Sequence, residues 1–343
     1  MSSSISSFER PIPVRGGWRL VILALAAAVV PLAVADAAIR QMGFVYAPKT
    51  ALTWYELATG EPPRDRLAVA FYGSSRVNLG FSPDDFDAEV GRLGGRSSSL
   101  NLGLDGHTAG AGALVEERSP YKRDILIMEL DVATPLSAME EKTLRKAGRV
   151  VLLDRINNSL GIWIDRHMVL HRFRTVVAYL TGNMTTRQFI YHDDGWNEAH
   201  YDDGGFRIER VREARRRAVE RLEAATAKSV ARPPDPAIVA RWQRYADMLQ
   251  DIRRRKSCQI VLVRMPLGPL ARREIELLLK RFDPMTVLGR LEGVLVIDGD
   301  RDLRPGGYEV ADESHMTASE ARAFSADLAR AVYPWYAARH PSP

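Results

Sequence analysis

The sequence contains only one cysteine, Cys258, in 343 residues. A single thiol excludes an intrachain disulfide and any zinc site built from cysteines. A large excess of one charge sign is also missing, because 48 basic and 43 acidic side chains leave a net charge of +5. That excess is too small to indicate a nucleic-acid partner. Hydrophobic residues make up 46% of the chain and charged residues 27%, so disorder and fibrous folds are excluded for most of it.

Motifs for cofactors and metals are missing as well. The chain has no phosphate-binding P-loop, and Gly110-Ala111-Gly112 is too short for a dinucleotide fingerprint. His167 and His171 have the spacing of two zinc ligands on one helix face, but the glutamate of an HExxH motif is absent. We therefore expect neither a cofactor nor a metal.

The longest apolar stretch lies near the N-terminus. The 16 residues from Leu20 to Ala35 carry no charge, and three arginines precede them. Such a flank keeps the N-terminus in the cytoplasm and sends the rest of the chain outward. A bilayer core needs about 20 mostly apolar residues. Residues 20–40 are therefore predicted to form a transmembrane anchor behind a cytoplasmic tail at residues 1–19.

A cleaved signal peptide is the alternative for this segment. Ala33-Val34-Ala35 and Ala35-Asp36-Ala37 both offer the small-x-small pattern of a cleavage site. Either interpretation places the residues after about 45 outside the cytoplasm. The predicted location is the bacterial inner membrane, crossed once, with the C-terminal domain in the periplasm or outside the cell.

Short apolar runs bounded by glycine are predicted as strands of an α/β domain at about residues 60–335. The runs are Leu67 to Tyr72, SSSLNLG, DILIMELDV, SCQIVLVR and GVLVIDGD, and a helix from Ala318 to Ala331 closes the chain. Strands that alternate with helices and glycine loops favour a parallel, doubly wound sheet. Residues of about 137–250 have no strand pattern, and we predict a helical insertion there.

A serine lies at the end of the first predicted strand, in Gly73-Ser74-Ser75-Arg76. The carboxyl ends of parallel strands are where open α/β sheets place their sites. A serine held on that turn is a nucleophile if a base removes its proton. Taken alone, the turn is better explained by a serine that caps a helix.

A base and its orienting partner are predicted near the C-terminus, at His315 and Asp312. A spacing of three residues in a turn lets the carboxylate hold the Nδ1 proton while Nε2 faces outward, as in a serine triad. A glycine at position 106, in the segment 104–108, follows another strand. Its backbone N–H is open to a developing oxyanion because no side chain blocks the approach.

Together these motifs resemble the blocks of the SGNH (GDSL-like) hydrolase superfamily, in the same order along the chain. The Gly-Asp-Ser block corresponds to Gly73-Ser74-Ser75, and the x-x-Gly-x-Thr block corresponds to residues 104–108. The Asp-x-x-His block corresponds to Asp312 and His315. The resemblance runs from about Leu67 to Pro334, interrupted by the helical insertion.

This resemblance implies a three-layer fold with a parallel sheet and a Ser75-His315-Asp312 triad. The backbone amides of Ser75 and Gly106 are the implied oxyanion hole. Ser74 departs from the family, since it stands where the first block usually has aspartate. The block Gly-x-Asn-Asp is missing from the strand that reads ILIMELDV.

The missing asparagine leaves three possibilities open. Loss of one oxyanion donor typically costs about 100- to 1000-fold in rate. Another group therefore substitutes for it, or turnover is slow, or the site is suited to transfer to a particular acceptor.

The Gly-Ser-Ser-Arg sequence behind an apolar N-terminal segment is similar to a narrower branch, the envelope O-acyltransferase-like proteins. Alginate acetylation factors and the D-alanine transfer protein of teichoic acids belong to it. The similarity implies O-acyl or O-acetyl transfer, or ester hydrolysis, on a cell-envelope polysaccharide. It also implies a multi-span membrane-bound O-acyltransferase as a partner.

Candidate substrate-binding residues are Arg76, beside the nucleophile, and three aromatic side chains, those of His192, Trp196 and Tyr201. The last three lie in a segment that mixes rings with carboxylates and amides, which suits sugar recognition. A polar surface loop is the alternative for that segment. The second functional hypothesis is a non-catalytic glycan-binding or assembly factor with a degenerate site.

Overall fold

In a computed structural model, the chain is described over residues 17–41, 51–131, 186–201, 205–227 and 234–340. The helices are α1 Gly17–Gln41, α2 Ala51–Thr59, α3 Ser75–Gly80, α4 Pro83–Arg92, α5 Ala109–Arg118, α6 Gly205–Ala227, α7 Pro236–Lys256, α8 Pro269–Leu279, α9 Met285–Leu288 and α10 Ala318–Ala337. The strands are β1 Leu67–Gly73, β2 Ser97–Gly103, β3 Ile125–Glu129, β4 Thr186–Tyr191, β5 Asn197–Tyr201, β6 Gln259–Arg264 and β7 Leu295–Asp298.

Five strands form one parallel sheet in the order β2-β1-β3-β6-β7. Strand β1 lies in the middle of the first three, and the chain crosses from one side of it to the other. This order confirms the predicted α/β class with a parallel sheet. It also brings the carboxyl ends of β1, β2 and β3 to one edge, which is where the candidate site lies.

Helices cover both faces of this sheet, so the side chains of the inner strands β1, β3 and β6 are mostly buried on both sides. Along β1, Ala70 and Tyr72 enter one core and Val69 and Phe71 enter the other. The same alternation continues through β3 and β6. Strands that are buried on both faces appear in sequence as continuous apolar runs, as predicted here. The result is a three-layer arrangement of helix, sheet and helix.

A two-stranded antiparallel hairpin, β4 and β5, lies within the range predicted to hold helices only. The expectation of no strand in residues 137–250 is therefore wrong at 186–201. Both strands are short, at six and five residues, and they mix polar with aromatic side chains, so neither produces an apolar run. Helices α6 and α7 agree with the prediction, whereas His167 and His171 lie outside the described residues.

The N-terminal helix α1 contains an 18-residue stretch, Val21–Ala38, that is long and apolar enough to cross a membrane. Its large apolar side chains are mostly exposed, among them Leu23, Val30 and Val34. The interior of the protein therefore does not cover this apolar surface. A membrane anchor and a signal sequence both have this character.

Candidate active site

Ser75 lies where β1 turns into α3. Strand β1 ends at Gly73, the Ser74 side chain caps the helix by accepting the N–H of Arg76, and Ser75 is the first helical residue. A short polar side chain at the cap satisfies a backbone donor that the first turn of a helix leaves free. The helix-cap alternative and the nucleophile prediction therefore concern different serines, since Ser74 is the cap.

The three predicted triad side chains form one chain of hydrogen bonds. The distance from His315 Nε2 to Ser75 Oγ is 2.9 Å, although the residues are 240 positions apart in sequence. His315 Nδ1 lies 3.0 Å from each carboxylate oxygen of Asp312. With Nδ1 facing the carboxylate, Nε2 is left to accept the serine proton. The arrangement has the geometry of a serine, a base and its orienting acid.

Asp312 is held by its own loop as well as by the histidine. Its carboxylate accepts the backbone N–H groups of Ser314 and His315 at 3.2 and 3.0 Å. Burial works to raise the pKa of Asp312, but the hydrogen bonds and charge of His315 and these two N–H groups together hold that pKa below its ordinary value. The carboxylate therefore stays ionised, as an orienting partner needs to be.

Glu313, which directly follows Asp312, has a backbone in the left-handed region, with φ of +73°. Its carbonyl accepts the N–H of Gly268 at 3.1 Å, and its buried carboxylate accepts the N–H of Leu270 at 2.8 Å. A side chain at position 268 would collide with Glu313. A strained conformation persists only where its surroundings hold it. Here the start of α8 provides that support.

The glycine predicted for the oxyanion hole lies on an open turn beside α3. Gly106 has φ of +73°, and no atom lies within 4 Å of the position that a side chain would take. Its neighbour Asp105 accepts a hydrogen bond from Asn78 Nδ2, one helical turn after Ser75, at 2.9 Å. Gly106 is thus exposed, next to a residue that contacts the helix of the serine, and its role as an oxyanion donor stays a prediction.

Arg76 is held inside the protein by two carboxylates. Its Nε lies 2.8 Å from Glu129 Oε1 and its Nη2 lies 2.6 Å from Asp131 Oδ2, and only 16% of its side chain is exposed. Glu129 and Asp131 were not predicted from the sequence, because the resemblance points only to an asparagine that is missing from the end of β3. The prediction that Arg76 binds substrate is untested, and these contacts engage two of its three nitrogens.

The hairpin residues predicted to bind sugar divide into three cases. Trp196 is only 2% exposed, its Nε1 donates to the carbonyl of Leu79, and the ring of His192 stacks on it. The prediction that Trp196 offers a face to a sugar is therefore wrong, because the ring is used in packing. His192 is partly exposed and lies 3.1 Å from Glu198. Tyr201 ends β5, and its side chain lies outside the described residues.

Metal binding has no obvious place in the described part of the chain. No group of three or more histidine, cysteine, aspartate or glutamate side chains there is arranged to hold an ion. The single cysteine, Cys258, is buried just before β6, and burial raises the pKa of its thiol to about 11.

No family model matches the sequence, and no curated protein matches it. Among solved structures, a similar one is described as a Corynascus thermopiles (Myceliophthora fergusii) carbohydrate esterase family 2 enzyme with a carbohydrate-binding domain. The two sequences are 12% identical, and the alignment covers 81% of this chain and 68% of that chain, with a TM-score of 0.35. Similarity at this level says nothing about the activity of this chain.

Proposed function

We propose that this protein catalyses acyl-ester chemistry through a covalent intermediate on Ser75. The observation that carries the proposal is the 2.9 Å contact between Ser75 Oγ and His315 Nε2, with Asp312 on the opposite ring nitrogen. A serine hydroxyl is a weak nucleophile until an adjacent base takes its proton. This contact supplies that base.

In the first half of the reaction, Ser75 Oγ attacks the carbonyl carbon of an acyl ester while His315 Nε2 takes the serine proton. The carbonyl oxygen becomes an oxyanion, which the N–H groups of Ser75 and Gly106 are proposed to stabilise. The tetrahedral intermediate then collapses. The protonated His315 gives its proton to the departing alcohol oxygen, and the acyl group remains on Ser75 as an ester.

In the second half, a hydroxyl group attacks the acyl-serine ester. His315 takes the proton of that hydroxyl, and Ser75 leaves and recovers a proton from His315. Water as the acceptor gives ester hydrolysis, and a sugar hydroxyl gives O-acyl transfer. Both outcomes use the same three side chains, so the acceptor decides which reaction is observed.

A cell-envelope polysaccharide is the proposed acceptor or substrate. The Gly-Ser-Ser-Arg resemblance described above and the apolar helix α1, with its candidate span Val21–Ala38, support this choice. The same resemblance supports a membrane-bound O-acyltransferase as the partner that supplies the acyl group. In this proposal the chain is held at the inner membrane with its α/β domain in the periplasm or outside the cell.

The test is acetylation by p-nitrophenyl acetate, followed by intact-mass measurement of the full chain in detergent. The wild type should gain one acetyl group and release p-nitrophenol. Ser75→Ala should lose the adduct and lower the rate by at least about 1000-fold.

Ser319→Ala is the matched control, because Ser319 is an exposed serine outside the triad and reports nonspecific acetylation. Equal rates for the wild type and Ser75→Ala, with and without membranes that contain the acyltransferase partner, would overturn the covalent mechanism. That result would favour a glycan-binding factor.

A further inference from the structure

A buried carboxylate lies directly behind the nucleophile turn. Glu129, the last residue of β3, has a side chain only 2% exposed. Its Oε2 accepts the backbone N–H of Ser74 at 2.5 Å, and its Oε1 accepts the Ser74 hydroxyl at 3.1 Å. The same Oε1 lies 2.8 Å from Arg76 Nε. One carboxylate therefore contacts the residues on both sides of Ser75.

The close approach of Glu129 to this turn depends on the sheet register and on a glycine. Strands β1 and β3 are parallel neighbours with Tyr72 opposite Met128, which brings Gly73 beside Glu129. A side-chain carbon at position 73 would lie 2.5 Å from Glu129 Oε2. That distance is far inside van der Waals contact, so only glycine leaves room for the carboxylate.

The contacts of Glu129 determine which donors remain available at Ser75. The Ser74 hydroxyl donates to Glu129 and its oxygen accepts the N–H of Arg76 at 3.2 Å. The N–H groups that precede and follow Ser75 are thus both engaged inside the protein. Ser75 is the first residue of α3, so its own N–H has no acceptor within the helix. This N–H stays free for an oxyanion formed at the serine.

The positive charge of Arg76 makes a buried carboxylate tolerable at this place. Asp131 contacts the other end of the guanidinium, so the arginine lies between two acids. Burial works against the charge of Arg76, but Glu129 and Asp131 raise its pKa above the ordinary value. A buried ion without such partners costs several kcal/mol. Glu129 and Arg76 thus form a fixed pair behind the turn and hold it in one geometry.

We propose that Glu129 is a positioning residue for Ser75, which holds the turn so that Ser75 Oγ and the Ser75 N–H face the reacting ester together. This inference rests on the proposed serine mechanism and deepens it. The end of β3 lacks the asparagine of the SGNH block. It carries instead a carboxylate that contacts Ser74 and Arg76, the two neighbours of the nucleophile.

The test is Glu129→Gln in the p-nitrophenyl acetate assay, on the full chain in detergent. An amide has the same shape but replaces one acceptor oxygen with an NH₂ donor, so at least one of the three donors around Glu129 loses its acceptor. A misplaced nucleophile or oxyanion donor slows the chemical step more than it weakens binding. We expect kcat to fall about 100-fold while KM changes by less than about threefold.

The matched control is Glu116→Gln, which makes the same change at a second fully buried carboxylate. Glu116 also accepts from three donors, Tyr72 Oη at 2.7 Å, Arg123 Nη1 at 2.6 Å and Lys256 Nζ at 3.0 Å. The Glu116→Gln variant should lower the thermal unfolding midpoint by about as much as Glu129→Gln does, and its kcat should stay within about threefold of the wild type. Equal kcat losses in the two variants would overturn the proposal, because the effect would then be general destabilisation.

A second variant, Ser74→Ala, covers the case in which Glu129→Gln does not fold. It removes the hydroxyl that links Glu129 to the N–H of Arg76 and that also caps α3, and kcat should fall about 10-fold at unchanged KM. Wild-type kcat in this variant would overturn the proposal. If the proposed covalent mechanism on Ser75 is itself wrong, the result is distinguishable. The wild type and Ser75→Ala would then have equal rates, and no acetyl group would be found on Ser75.

Discussion

At the scale of single residues, the carboxylate of Asp312 shows how a side chain is prepared for one role. It accepts two backbone N–H groups and faces both oxygens toward His315 Nδ1. Each of these contacts favours the ionised form, and together they outweigh the effect of burial on its pKa. An ionised partner fixes the histidine tautomer in which Nε2 is free to accept the proton of Ser75.

The lowered pKa of Asp312 predicts a pH-dependent contribution to stability. A carboxyl group whose pKa is lower in the folded state stabilises that state above the unfolded pKa of about 3.9. The contribution is lost as the pH falls through the lower, folded-state pKa. We therefore expect the difference in unfolding free energy between wild type and Asp312→Asn to be larger at pH 7 than at pH 3. Urea titrations at the two pH values measure it, and a difference that does not change with pH would contradict the prediction.

At the scale of elements, helix α6 is joined to the loop that carries the predicted base. Arg215 on α6 donates to Ser314 Oγ at 2.7 Å and contacts Glu274 of α8 at 2.9 Å. Arg212, one turn earlier, lies 3.4 Å from Glu313. Arg212 and Arg215 thus attach helix α6 to the segment 312–315.

This attachment predicts that Arg215→Ala lowers kcat, by about 10-fold, because the loop that holds Asp312 and His315 loses one of its anchors. The matched control is Arg217→Ala on the same helix, whose side chain is 70% exposed and pairs only locally with Glu213. That variant should keep wild-type kcat, since exposed pairs of this kind contribute little. Steady-state rates with p-nitrophenyl acetate measure kcat for both variants. Equal kcat values for Arg215→Ala and Arg217→Ala would contradict this prediction.

The β4–β5 hairpin supports the site from another side. Trp196 Nε1 donates to the carbonyl of Leu79, and Asn197 Nδ2 donates to Asn78 Oδ1 at 3.3 Å. Both acceptors belong to α3, the helix that Ser75 opens. Asn78 in turn contacts Asp105, next to the predicted oxyanion glycine. The hairpin therefore braces the nucleophile helix through buried hydrogen bonds.

At the scale of the whole molecule, the apolar surface of α1 is the main feature that the folded domain leaves uncovered. A helix of this length and composition is stable in a bilayer, where its apolar side chains meet lipid. An apolar surface of this size in contact with water would favour association with a membrane or with other apolar surfaces. Helix α1 therefore predicts an association with a membrane and gives no information about the reaction.

We expect the full chain, expressed in a bacterium, to remain in the membrane fraction after a carbonate wash with its complete mass of 38.3 kDa. Deletion of residues 20–40 should release it into the soluble fraction, because the apolar span is then gone. Intact-mass measurement of the purified chain separates the two interpretations of α1. A soluble chain that begins after Ala35 or Ala37 would show that the segment is a cleaved signal peptide.

Local sequence patterns predicted the strands of the sheet and the residues of the candidate site. The three inner strands, β1, β3 and β6, appear as short apolar runs because they are buried on both faces. The helix from Ala318 has its cap at Thr317. Ser75, Asp312 and His315 were predicted as a triad because short motifs of fixed spacing follow one another in the order that resembles the SGNH superfamily. Such features depend on neighbours a few residues apart, which is the range over which periodicity and capping act.

Tertiary structure decided the rest. The contact of Glu129 with Ser74 depends on the register between β1 and β3, and the burial of Trp196 depends on where the hairpin packs. The hairpin itself was missed because its strands are short and mix polar with aromatic side chains. Residues 240 positions apart meet at Ser75 and His315 because parallel strands bring their carboxyl ends to one edge. Strand order and register arise from the packing of whole elements, and no local pattern in the chain encodes them.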